Sequence, residues 1–156
     1  MGFHLSGVVA TIACVPAAFA FSLRKLLPFP AQLILWHIAS AGFAVSFAAS
    51  VQLASRTTWL LGKKEDGSIS TVGFALFWPY HIALRTKLAL QRRYSSEAAW
   101  NKVTPTYYIG SWPAAEHMLP HKTIAVVDVT CELPLMVNAT AYKLIPVWDT
   151  HGKLKK

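Results

Sequence analysis

Hydrophobic positions fall into two long uncharged stretches at the start of the chain, a shorter third one, and then a segment of brief β-type runs. No charged side chain occurs in residues 3–23 or in residues 29–54. Roughly 20 apolar residues at 1.5 Å rise cross about 30 Å of hydrocarbon, so both stretches are long enough to be transmembrane helices. Pro16 predicts a kink in the first, with the freed backbone groups satisfied by neighbours. The connector Arg24-Lys25-Leu-Leu-Pro28-Phe-Pro30 is short, and the pair reads as a transmembrane hairpin. Residues 71–84 form the third run, too short to span comfortably and followed by Arg85, Lys87, Arg92 and Arg93. It reads either as a short third crossing with Arg85 and Lys87 snorkelling, or as a helix in the interface behind a Trp78-Pro79-Tyr80 belt. The third crossing is narrowly the better of the two.

Beyond the basic cluster the periodicity changes. Residues 94–101 are polar with a helical pattern, and Ser95-Ser96-Glu97 suits its start. Tyr107-Tyr108-Ile109-Gly110-Ser111-Trp112-Pro113 is a short β-like run closed by turn residues. Residues 123–130 are a continuous β-branched run of the kind buried in a parallel sheet. Residues 142–149 give a third run, in which Pro146 marks an edge or a strand end. Residues 113–121 have room for a helical turn. Three strands with short connections predict the beginning of an α/β sheet. The chain therefore divides into a membrane-anchoring region with its basic juxtamembrane stretch, residues 1–93, and a second segment, residues 94–156.

Composition sharpens this picture. Of 156 residues 54% are apolar and only 14% charged, against roughly 25% charged in an ordinary soluble domain. A disordered tail and a disulfide-rich module are excluded. The 15 Lys and Arg against 7 Asp and Glu give a net charge of +8, but the excess is local. Residues 1–55 hold only Arg24 and Lys25, residues 56–94 hold seven bases against Glu65 and Asp66, and residues 95–156 are nearly balanced. Such a cluster just after hydrophobic segments is a membrane-protein pattern and not a nucleic-acid footprint. The partners it implies are a lipid bilayer and its anionic lipids, with no nucleic acid.

By the positive-inside rule, three crossings put Arg24, Lys25 and the residues 85–93 cluster in the cytosol with the residues 56–66 loop outside. Two crossings keep the basic stretch from Arg56 onward, and the N-terminus, cytosolic. In both cases the C-terminal segment faces the cytosol, and Asn138-Ala139-Thr140 is an unused glycosylation match. A signal peptide is the competing reading of residues 3–23, since Ala17-Ala18-Phe19-Ala20 resembles a cleavage site, but no charged n-region precedes it. The N-myristoylation pattern at Gly2 is loose, and a spanning segment needs no acyl anchor.

Candidate chemistry is sparse. Cys14 and Cys131 imply no disulfide framework. His117 and His121 are spaced i, i+4 without a Glu at the second position or a third ligand, so no metal site is expected; no nucleotide loop or other cofactor motif occurs. His37 lies inside the second apolar run, where an ionisable group is a functional candidate, yet one neutral His without a titratable partner is the mark of a simple hydrogen bond. Small residues recur at helical spacing, Ser46, Ser50 and Ala54 on one stripe and Ser40, Ala44 and Ala48 on another. Close helix packing or a helix–helix oligomer and plain chance are equal readings of them.

The order Tyr-Ile-Gly-Ser-Trp-Pro (108–113), Ala-Val-Val-Asp-Val-Thr-Cys-Glu-Leu-Pro (125–134) and Leu-Ile-Pro-Val-Trp-Asp-Thr (144–150) resembles the N-terminal half of a dual-specificity (tyrosine) phosphatase domain, most nearly the plant-type membrane-anchored members. The resemblance covers about residues 100–150. It implies phosphate monoester hydrolysis by a low-pKa Cys thiolate, an Arg with backbone N–H groups around the phosphate, and an Asp general acid. It further implies that Asp149 occupies the general-acid position. The His-Cys, five residues, Arg motif is absent from this sequence. Cys131 is no substitute, because Thr130 precedes it, Val137 stands where the Arg would fall, and Leu133 to Met136 form no glycine-rich nest. Cys131 reads as structural, and Asp149 without a nucleophile reads as a turn residue after a strand.

The expected architecture is thus a membrane α-helical hairpin, with two or three crossings, followed by an incomplete α/β phosphatase-like domain. The expected function is that of a membrane-anchored relative of these phosphatases, truncated and inactive as this chain. The alternative is a noncatalytic anchor, or lipid- or protein-binding module, that uses Arg85, Lys87, Arg92 and Arg93 at the membrane surface.

Overall fold

Apolar residues without interruption by charge fold the first two stretches as helices. The computed structural model of the chain describes residues 5–94, 98, 100–112 and 125–149. Helix α1 spans Leu5–Ser22 and includes Pro16; helix α2 spans Phe29–Ala48, entered through Pro28 with Pro30 in its first turn, where a missing N–H costs nothing. Both are long and apolar enough to cross a membrane. Their large side chains, including Ile12, Phe19, Leu33 and Phe47, are exposed, as lipid-facing residues would be. Small residues bring the two together: a methyl group at Gly42 would come within 2.7 Å of the Ala13 Cβ. The Ser46 hydroxyl donates to the Ser6 carbonyl at 2.7 Å. Gln32 closes the connector by donating to the carbonyls of Arg24 and Leu27 at 2.7 and 2.8 Å.

The second helix is shorter than the 29–54 run. Its end is fixed at Ala48, whose carbonyl accepts the Thr57 hydroxyl at 2.7 Å, and turns follow to Leu61. Ser50 and Ala54 therefore leave the helical stripe that Ser46 begins. A tight loop then carries an isolated bridge between Lys63 and Ile69, with Gly67 at φ +81° where a left-handed backbone is needed.

Helix α3, Thr71–Tyr94, extends ten residues past the apolar run. Ser70 caps it, accepting the Gly73 N–H on its side-chain oxygen at 3.0 Å. The helix is kinked at Phe77 (φ −115°, ψ 21°), two residues before Pro79, whose ring excludes a regular turn there.

The remaining chain makes two small sheets. Strand β1 (Trp100–Lys102) pairs antiparallel with β2 (Tyr108–Gly110), and β3 (Ala125–Asp128) pairs parallel with β4 (Ala141–Leu144). The parallel contact continues past the strands, with Ile145 N–H to Asp128 O at 2.8 Å and Cys131 N–H to Val147 O at 3.1 Å. Two sequence expectations change here. Trp100 and Asn101, the end of the helical pattern at residues 94–101, belong to β1, because Trp100 finds an edge-on ring partner in Tyr108 at 5.1 Å and a ladder partner in Gly110. The run at residues 107–113 joins that hairpin and not the β3–β4 pair, so three runs form two sheets. The Ser95-Ser96-Glu97 start, the helical turn at residues 113–121, His117, His121 and the terminal residues 1–4 and 150–156 lie outside the described residues.

One buried cluster joins the hairpin end, the loop, α3 and the segments that follow β3 and β4. Ala41, Val45, Ala48 and Ala49 of the hairpin end meet Leu61, Phe77 and Tyr80, and then Cys131 and Trp148. The core thus crosses the 93/94 boundary drawn from the sequence.

Candidate functional site

The polar residues that matter most sit where the residues 57–67 loop and α3 meet the C-terminal segment. Lys63, its side chain fully buried, donates from Nζ to Asp128 Oδ2 at 2.6 Å and to the Thr130 carbonyl at 2.7 Å. The Tyr142 hydroxyl donates to the same carboxylate oxygen at 2.8 Å. Burial, and then that bond, holds the Tyr142 hydroxyl above its ordinary pKa. Asp128 Oδ1 takes the Thr130 N–H at 2.9 Å, so the carboxylate at the end of β3 is paired on both oxygens. Trp148 Nε1 donates to Thr57 Oγ1 at 3.2 Å, and Leu135 N–H donates to Gly67 O at 2.9 Å.

A second buried group stands on α3. The Tyr80 hydroxyl donates to Glu132 Oε1, and Glu132 Oε2 accepts the Asp149 N–H at 3.4 Å. Only 4% of Glu132 is exposed, and this desolvation raises its carboxyl above the usual carboxylate range. Glu132 therefore ties the general-acid position of the resemblance to the anchor's third helix. Asp149 itself is exposed on a bend after β4. Next to Tyr80, His81 is 1% exposed and stacks on Phe74 at 5.7 Å; its ring nitrogens face the carbonyls of Leu61 and Glu132 without a well-aligned hydrogen bond.

Cys131 is wholly buried beside Leu61 and Trp148, and burial followed by the Glu132 charge pushes its thiol up, away from a nucleophilic thiolate. The arrangement offers an acid at Asp149 and no attacking group near it among the described residues. Nor do the described residues hold a cluster of three or more His, Cys, Asp or Glu fit for a metal. His37 stacks on Trp78 at 6.3 Å, so its neighbour is a ring and not a titratable partner.

The four cations expected at the membrane surface differ in their surroundings. Arg85 lies over the Phe74 ring at 5.7 Å and Arg92 over Trp112 at 5.5 Å, both half-buried, whereas Lys87 and Arg93 are exposed. Trp112 in turn donates to the Pro134 carbonyl at 2.6 Å. The C-terminal segment therefore touches the loop before α3 at Lys63, its middle at Tyr80, and its end at Arg92. A bilayer crossing by α3 would carry Glu132, bonded to Tyr80, toward hydrocarbon, at a cost of several kcal/mol. Among the described helices α1 and α2 are the ones long and apolar enough to cross a membrane, so the narrow preference for a third crossing gains no support.

In the sequence reading Lys63, Thr57 and Glu132 had no site role, and Tyr80 only a place in an interfacial belt. Their partners stand 65, 91 and 52 residues away, and nothing in local spacing announces such contacts. No family model, curated protein or solved structure matches the chain.

Proposed function

We propose that these 156 residues form the membrane anchor and the general-acid half of a dual-specificity phosphatase-type protein, without the half that carries its nucleophile. The observation that supports this reading is the parallel pairing of β3 with β4. It sets the Ala-Val-Val-Asp block beside the Tyr-Lys-Leu-Ile-Pro-Val-Trp-Asp block and delivers Asp149 to an exposed bend at their common end. An exposed carboxyl held through its backbone by Glu132 is suited to protonating a leaving oxygen once a thiolate and an Arg are brought to it. In this chain alone it has nothing to assist.

The test is aryl phosphate turnover by the purified chain in detergent. The expected result is no hydrolysis above buffer; turnover in this chain that survives Asp149→Ala overturns the assignment. Reading the messenger through the Lys156 codon tests the other half. A continuing frame with His-Cys, five residues and Arg makes Asp149 the acid of an active enzyme. The second reading, a noncatalytic anchor that holds anionic lipid, is favoured by the exposure of Lys87 and Arg93.

A further inference from the structure

Helix α3 buries one face and leaves much of the rest exposed. Gly73, Phe77, Tyr80 and His81 point into the core. Beside that face, about a quarter turn round the helix, lie Val72 and Leu76 before the kink at Phe77 and Ala83, Leu90 and Tyr94 after it, a stripe in which every residue is exposed. Leu76 is 54% and Leu90 50% exposed, which large aliphatic side chains in regular array do not sustain against water without a purpose. The two cations that remain exposed, Lys87 and Arg93, fall on opposite flanks of this stripe, while Arg85 and Arg92 are turned to Phe74 and Trp112.

An apolar stripe with a cation on each side and an aromatic ring at its end fits the boundary between acyl chains and headgroups. The stripe belongs to a helix packed against α2, with Phe77 in one buried cluster with Ala41 and Val45 and Trp78 stacked on His37, so it adjoins the apolar hairpin. We infer that α3 is an in-plane helix seated in the interface of an anionic bilayer. Its apolar stripe enters the acyl boundary, and Lys87 and Arg93 hold acidic headgroups. The inference rests on α1 and α2 crossing a bilayer and on no phosphatase chemistry.

The full chain, reconstituted in nanodiscs of phosphatidylcholine and phosphatidylglycerol, tests it. Single spin labels are placed by Leu76→Cys, Leu90→Cys, Phe19→Cys and Lys143→Cys in a Cys14→Ser background, Cys131 being buried and unreactive. Oxygen reports contact with hydrocarbon and a nickel chelate contact with water. Oxygen-favoured labels at positions 76, 90 and 19 and a nickel-favoured label at 143 are expected. Nickel-favoured labels at 76 and 90, with position 19 still oxygen-favoured, overturn the inference and leave the anchor standing; nickel-favoured labels at all four overturn both. Protection of 76 and 90 from both reagents means that a second copy or another protein covers the stripe, and also overturns it. The relative association of spin-labelled phosphatidylglycerol over phosphatidylcholine is expected to fall roughly fivefold for each cation removed, and so roughly 25-fold in K87Q/R93Q. An unchanged ratio rules out the headgroup contacts.

Discussion

Asp128 depends on a single cation. Its carboxylate accepts Lys63 Nζ and the Tyr142 hydroxyl at the end of a strand, and Lys63 has no exposure to water. Removing one partner of a buried pair leaves an uncompensated charge, whereas removing both with apolar groups of like volume can be neutral. Lys63→Met is expected to destabilise the chain by about 3 kcal/mol or more in a denaturant titration in detergent, with K63M/D128L recovering most of the loss. Equal losses in the single and double variants contradict this account of the pair. Glu132 gives a second expectation, with a sign. Its pKa is raised in the folded chain by burial, so its contribution is fully present below the ordinary value of 4.5 and is lost as pH rises through the raised one. Wild type is expected to lose stability relative to Glu132→Gln over that upward interval, read as a difference between two melting curves against pH. Parallel curves exclude a raised carboxyl. Neither residue was legible as functional, since the sequence showed Lys63 only as one charge of a loop and Glu132 only as one letter of a resembling block.

Among the elements, the hairpin was the most legible, because an uncharged apolar run long enough to span needs no distant contact to be helical. Its end was not: Ala48 is fixed by Thr57, nine residues on, and apolar residues simply continue past it. Helix α3 was readable to Leu84, where apolar residues stop, yet it runs to Tyr94 because Arg92 finds Trp112 and Leu84 joins the core. At Trp100 and Asn101 a polar helical pattern is overridden by a strand partner. The start of α3 carries a prediction in which local propensity and packing disagree. In an open helix Gly→Ala stabilises by about 1 kcal/mol. At Gly73 a methyl group would stand 2.5 Å from the Leu61 carbonyl oxygen and 2.9 Å from the Gly62 Cα, both backbone atoms. Gly73→Ala is therefore expected to lower the melting temperature, and a rise would show that the loop does not lie this close to the helix.

At the scale of the whole molecule the contacts between loop and C-terminal segment decide topology. Hydropathy and charge counts left two or three crossings open, since Arg85 and Lys87 can snorkel in one case and lie in the interface in the other. Lys63 at 2.6 Å from Asp128, and Gly67 bonded to Leu135, leave no bilayer between residues 57–67 and residues 128–148. With two crossings the N-terminus, that loop and the C-terminal segment share one side, and Arg24 and Lys25 take the other. In sealed proteoliposomes, an impermeant maleimide is expected to label Lys64→Cys and Lys143→Cys from the same face and Lys25→Cys from the opposite one. Labelling of positions 64 and 143 from opposite faces restores the third crossing and removes the shared core. The basic excess of the loop and α3 favours the cytosol for the shared side, which predicts that Asn138 stays unmodified when the chain is made in a glycosylating cell. A glycan there reverses the orientation but leaves the crossing number as it is, so the two experiments separate how the chain is threaded from which way it faces.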